Sequence, residues 1–145
     1  MLPYFEHEHL VTFADTNIVG NVYFVNYLSW QGECRERFLA RYAPGVVKRL
    51  TTDLALVTIS CSCEYFCELF LFDVVSIRMS LAGMDSNRVT MAFSYYRTNR
   101  GAAQLLARGQ QVVGCMERLS GALTPIPVPG ELADALAKYS ESARA

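Results

Sequence analysis

Between Val22 and Tyr42, long side chains recur at spacings of three and four: Phe24, Tyr27, Leu28, Gln31, Cys34, Arg35, Phe38, Leu39 and Tyr42. Gly32 alone interrupts them, and no proline does. That period predicts one long helix with a single buried stripe. Asn21 is a good N-cap for it, and Pro44 and Gly45 end it. Such a helix needs a surface on which to bury its stripe, so the rest of the chain must supply one.

Residues 4–14 alternate in part and end in β-formers, which predicts a first strand. Residues 15–21 hold Asp, Thr, Asn, Gly and Asn, which is turn chemistry. Beyond a connector over 46–53, four runs rich in Val, Ile, Thr, Phe, Tyr or Cys predict strands near 54–68, 74–84, 88–98 and 104–117. Turns are expected at Met84-Asp85-Ser86-Asn87 and at Asn99-Arg100-Gly101. In the first run, the odd positions Ala55, Val57, Ile59, Cys61, Cys63, Tyr65 and Cys67 are apolar, while Thr58, Ser60, Ser62 and Glu64 alternate with them, as in a half-buried strand. Pro125, Pro127 and Pro129 predict an extended closing loop over 120–130. A short amphipathic helix over Glu131–Ser142 follows, with Leu132, Ala135, Leu136 and Tyr139 on one side. One strand, one long helix and four antiparallel strands compose an α+β hotdog fold. Its curved sheet of about five strands wraps the helix, as one domain over 1–145.

Thirteen Lys and Arg against 14 Asp and Glu leave a net charge of −1, with no basic run to neutralise phosphates. A nucleic-acid partner is therefore not expected. The composition is 52% hydrophobic and 19% charged, which suits a full core. Five cysteines, Cys34, Cys61, Cys63, Cys67 and Cys115, make an odd count without zinc-knuckle spacing. They read as core thiols in a reducing compartment. His7 and His9 lack further ligands near them in sequence, so no metal or cofactor is expected. Residues Met1 to His9 show no basic-then-apolar leader, and no run approaches the roughly 20 apolar residues of a membrane span. A soluble, cytoplasmic chain is expected.

The segment Phe13-Ala14-Asp15-Thr16-Asn17-Ile18-Val19-Gly20-Asn21-Val22-Tyr23-Phe24-Val25-Asn26-Tyr27 resembles the signature of the 4-hydroxybenzoyl-CoA thioesterase family. That signature is an aromatic, Asp-Thr-Asp, two variable residues, Gly, a Val-Tyr or Val-His pair, and a Tyr four residues later. Asn17 stands where the family's catalytic aspartate is usual. An amide has no basic lone pair at neutral pH, so it serves neither as nucleophile nor as general base. With Asn17, the runs Trp30-Gln31-Gly32-Glu33-Cys34-Arg35-Glu36 and Tyr65-Phe66-Cys67-Glu68-Leu69, and Asp73, resemble a narrower group. These are the thioesterases that accompany iterative enediyne polyketide synthases.

The resemblance implies hydrolysis of a polyene β-ketoacyl thioester from an acyl carrier protein domain, with decarboxylation of the released β-keto acid. It implies a homo-oligomer, a dimer or a dimer of dimers, with sites shared between subunits. It assigns Asn17 and Arg35 as catalytic, with Phe24, Tyr27 and Thr58 binding substrate. The Phe24 N–H would sit at the helix start as an oxyanion donor.

Each of these residues also has a plainer reading. Asn17 is equally a turn residue, and Arg35 a partner for Glu33, Glu36 or an acid of a second subunit. Tyr27 also suits core packing and Thr58 an ordinary strand position. Glu64 and Glu68 read as replacement bases or outward-facing acids. His7 and His9 read as solvent-facing. Tyr95, Tyr96, Phe70 and Phe72 read as core or as lining for an apolar channel. A general acyl-CoA thioesterase and a non-catalytic thioester-binding accessory protein are the alternative functions.

Overall fold

The computed structural model describes residues 2–140. Its elements are β1 (Phe5–Leu10), a 3-10 turn (Phe13–Asp15), α1 (Val25–Tyr42), α2 (Pro44–Arg49), β2 (Leu54–Tyr65), β3 (Val74–Met84), β4 (Arg88–Arg97), β5 (Gln104–Leu119), β6 (Ala122–Pro125) and α3 (Gly130–Ala137). All pairings between strands are antiparallel, in the order β1-β3-β4-β5-β2, with β6 continuing along β5. The sheet curls around α1, which buries Tyr27, Trp30, Gln31, Cys34, Phe38 and Leu39. This is the expected hotdog architecture. At the open end, α3 packs Leu132, Ala135 and Leu136 into the core. There Tyr139 joins Phe5, Phe38 and Tyr42 in an edge-on aromatic cluster. No helix among the described residues is long and apolar enough to cross a membrane.

Several boundaries differ from the sequence reading, each for a local reason. The first strand stops at Leu10, not residue 14. Val11 leaves the ladder to bond Asp73 and Phe72, and Thr12 opens the 3-10 turn. The long helix starts at Val25, so Asn21 is not its cap. Strand-like pairing claims that backbone instead: Val22 N donates to Leu69 O at 2.8 Å, and Asn21 bridges Phe70. Phe24, placed in the buried stripe, is the N-cap residue and is exposed. Pro44 ends α1 as expected but also opens α2 within the supposed connector, because a first-turn residue needs no N–H partner. The closing loop contains β6, joined to β5 through Ser120 and Gly121, both at positive φ as a type I′ turn requires. The C-terminal helix ends at Ala137, and its expected positions 141–142 lie outside the described residues.

The largest correction concerns β2. The ladder with β5 shifts register between Thr58 and Ser60, a bulge at Ile59. One extra residue reverses which side chains face the helix. Before the bulge, Leu56 faces α1 and Ile59 packs beneath Gly114 on the opposite face. After it, Cys61 and Cys63 pair with Gln111 and Gly109, inward positions of β5. A single alternation across 54–67 therefore does not exist. β2 is also an edge strand, and residues 58–62 are exposed on both faces. Cys61 is accordingly an exposed thiol, while Cys34 and Cys115 are buried as expected.

Gly109 sets how closely α1 approaches the sheet. A Cβ there would meet the Gln31 amide nitrogen and lie 2.5 Å from Ser62 O, the carbonyl that Gln31 Nε2 bonds at 3.0 Å. Gly109→Ala is expected to cost about 2–3 kcal/mol by overpacking. Thermal denaturation would show this as a drop in melting temperature of roughly 5–10 °C.

Candidate active site

The Asp15–Phe24 segment is built around two turns. Asn17 O accepts from Gly20 N and Asn17 N donates to Asn21 O, each at 2.9 Å, with Gly20 at φ 91°. This is a three-residue hairpin loop that needs glycine at its left-handed position. Asn17 Oδ1 accepts from Val19 N at 3.1 Å, an Asx turn that fixes the side chain. The oxygen is thus occupied, while Nδ2 has no acceptor among the described residues. Asn17 is exposed, and its Nδ2 is available as a donor.

The chain then reaches α1 through Tyr23, whose N–H donates to Asp15 O at 3.0 Å. Asn26 N donates to Tyr23 O and Tyr27 N to Phe24 O, but the N–H groups of Phe24 and Val25 have no acceptor among the described residues. No side chain caps this end. An 18-residue helix therefore turns open donors and the positive end of its dipole outward. Beside them lies a recess of about 140 Å³ lined by Asn21, Val22, Phe24, Tyr27, Tyr65, Cys67, Glu68 and Leu69. Tyr65 Oη donates to Phe24 O at 2.8 Å, and Asn21 Nδ2 donates to Glu68 Oε1 at 3.0 Å. Tyr27 stacks edge-on with Tyr65 and Tyr95, and burial pushes its hydroxyl pKa well above the ordinary tyrosine value. It stays a neutral donor at any physiological pH.

Arg35 occupies a different place. It borders a small apolar cavity with Phe38, Leu39, Leu56, Val89, Met91 and Val113. Arg35 Nη1 donates to Gln111 Oε1 at 2.7 Å. Burial lowers the guanidinium pKa, opposed by the charge of Glu36. Neither Glu33 nor Glu36 forms an ion pair with it, and Glu33 bonds His7 instead. Thr58 pairs with Val113, a wall of the same cavity. One chain thus groups Phe24 and Tyr27 at the helix start, with Asn17 on the adjoining exposed turn. Arg35 stands about 16 Å beyond Phe24 along α1 at 1.5 Å per residue, with Thr58 across the ladder from the cavity wall Val113.

Other candidates resolve individually. His7 is buried, not solvent-facing: Nε2 lies 3.3 Å from Glu33 Oε2, and desolvation lowers its pKa. His9 pairs with Asp15 at 2.8 Å. Burial raises the thiols of Cys34 to about 12 and Cys63 to about 11, which removes both as thiolate nucleophiles at neutral pH. Asp73 is structural: it accepts from Phe70 N at 3.0 Å and pairs with Arg97 and Arg100. Among the described residues no cluster of His, Cys, Asp and Glu could hold a metal ion. Gln111, the buried partner of Arg35, escaped the sequence reading. Its signal is an amide inside the inward-facing run Gly109, Gln111, Val113, Cys115 of β5.

A family model described as the thioesterase-like superfamily matches residues 11–137. The 1,4-dihydroxy-2-naphthoyl-CoA hydrolase of Prochlorococcus marinus is 22% identical over 120 residues, covering 77% of each chain. Among solved structures, dynemicin thioesterase is 49% identical with a TM-score of 0.91, over 94% of this chain and 97% of that one. Its crystal structures are described as revealing induced-fit and allosteric effects upon polyene binding. A 1,4-dihydroxy-2-naphthoyl-CoA thioesterase from Synechocystis shares the fold at 24% identity and a TM-score of 0.82, covering 92% and 96% of the two chains.

Proposed function

The chain belongs to the thioesterase-like superfamily, and from that membership we propose that it hydrolyses a polyene β-ketoacyl thioester carried by the acyl carrier protein domain of an iterative enediyne polyketide synthase. Thioester hydrolysis is the activity of the family. The polyene substrate is supported by the 49% identity to dynemicin thioesterase over nearly the whole chain. The observation that carries the reaction is the pair of unpartnered N–H groups at Phe24 and Val25, with the free Asn17 Nδ2 on the adjoining turn. All three are donors, and none is a base.

Donors alone suit a thioester. Water attacks the carbonyl carbon, and the new oxyanion is held by the Phe24 N–H and Asn17 Nδ2. The C–S bond then breaks, and the thiolate leaves as the water-derived proton reaches sulfur. A thiol of pKa about 8.5 is a good leaving group, so the step needs less assistance than an ester or amide would. Arg35 binds the β-keto oxygen and holds the enolate charge that forms when the free β-keto acid loses carbon dioxide. Tyr27 and Thr58 line the path.

The β-keto oxygen lies only two carbon–carbon bonds from the thioester carbonyl, too close to be reached by both groups of one chain. We place the site between two copies. The exposed β2 edge offers unpaired backbone groups for a second strand. An antiparallel two-fold pairing about Ser62 would set Thr58 of one copy opposite Phe66 of the other. Arg35 and Thr58 of each copy would then approach the helix start of the other.

The direct test is co-incubation with a loaded enediyne synthase, with products identified by mass spectrometry. Free polyene β-keto acid or its methyl ketone is expected. No release above background, or turnover confined to acyl-CoA, would reject the assignment.

A further inference from the structure

His9 belongs to none of the groups above, yet its contacts converge on the helix start. His9 Nε2 lies 2.8 Å from Asp15 Oδ2. Thr12 donates to the same oxygen from its backbone N at 2.9 Å and its hydroxyl at 3.2 Å. Burial works to raise the Asp15 pKa, but the Thr12 N–H and His9 outweigh it and hold the carboxyl below its ordinary value. Asp15 is therefore an acceptor, and His9 Nε2 must carry the proton it shares. The ring is fixed a second time by Trp30, 4.7 Å away and 2% exposed.

The backbone of the same aspartate reaches the proposed oxyanion site. Asp15 O accepts from Tyr23 N at 3.0 Å and from Asn26 Nδ2 at 2.8 Å. Those two donors flank Phe24 on either side. Thr16, the next residue, bridges Val22 and so ties down the base of the Asn17 turn. One clamped residue thus locates both sets of donors.

We infer that His9 is a positioning residue: by holding the Asp15 carboxylate, it fixes the Asp15 carbonyl, and through it the Phe24 N–H and the Asn17 turn. The inference rests on the reading of those groups as oxyanion donors. Loss of the clamp displaces donors that must meet an oxyanion within a few tenths of an ångström, while Tyr27, Tyr65, Cys67 and Leu69, which line the recess from other segments, keep their places. The signature is a lower kcat with little change in KM.

The test compares wild type, His9→Phe and His9→Gln. Phenylalanine keeps the stacking on Trp30 without the donor, and glutamine restores a donor. Hydrolysis of a β-ketooctanoyl N-acetylcysteamine thioester is followed by thiol release, and exchange of the Tyr23 amide by NMR. His9→Phe is expected to lower kcat about tenfold or more, with KM within about twofold. It should also speed Tyr23 exchange about tenfold. His9→Gln should recover most of both. Unchanged Tyr23 exchange in His9→Phe, or a Gln variant no nearer wild type than the Phe variant, overturns the inference. Wild type inert toward the thioester and also giving no release from the loaded synthase would reject the proposed function instead. Tyr23 exchange, which needs no turnover, then decides the clamp alone: faster exchange reversed by Gln upholds it, and unchanged exchange overturns it.

Discussion

Arg35→Met is expected to raise the melting temperature by roughly 3–6 °C while lowering thioester hydrolysis about 10²–10³-fold. The opposite signs follow from the surroundings of the guanidinium. Phe38, Leu39, Leu56, Val89, Met91 and Val113 line the apolar cavity that the half-buried Arg35 borders, and Gln111 Oε1 is the one hydrogen-bond acceptor of its guanidinium among the described residues. A cation held there without a carboxylate is costly, and burial lowers its pKa for that reason. Methionine fills similar volume with no charge to desolvate. The orphaned Gln111 Oε1 costs about 1 kcal/mol, which Gln111→Leu in the same chain should recover. Thermal melts and product release measured on one preparation decide the matter. A fall in both stability and activity would leave Arg35 a structural role only.

Mixing two inactive variants should restore activity. If Asn17 of one copy and Arg35 of another serve one site, Asn17→Ala and Arg35→Met dimers are each dead at every site. After subunit exchange, about half of the dimers are mixed, and each mixed dimer carries one intact site and one doubly altered site. The mixture should reach about a quarter of wild-type activity. Activity that never exceeds the sum of the separate variants would mean that both residues serve a site within one chain. The geometry argues against that outcome, since Phe24 and Arg35 stand about 16 Å apart along α1.

The helix was legible because its stripe repeats over five turns, and a long period survives local exceptions. The hairpin strands were legible for the same reason: β3 spans Val74–Met84, the expected range 74–84. Their turns carry their own chemistry, as where Asp85 Oδ1 accepts from Asn87 N and Arg88 N. Illegible features arose where a distant segment competes for the backbone. Asn21 has a good capping side chain, but Leu69 and Phe70 pair with its neighbourhood and hold it extended. The bulge at Ile59 is set by the fit of β2 to β5, and nothing in the run 54–67 marks it.

The candidate site divides along the same line. Asn17, Phe24 and Tyr27 sit within one short segment, so their proximity is a property of the chain. Arg35 with Gln111 joins α1 to β5 across 76 positions, and His9 reaches the site only through Asp15. By itself the sequence determined one long amphipathic helix, a sheet to wrap it, and a helix start without a carboxylate at position 17. Periodicity and residue chemistry act over a few neighbours, so they carry that far. Tertiary structure decided which face of β2 meets the helix, what accepts the Arg35 proton and what holds Asp15. Those depend on register and approach distance between segments far apart in the chain, which no local pattern encodes.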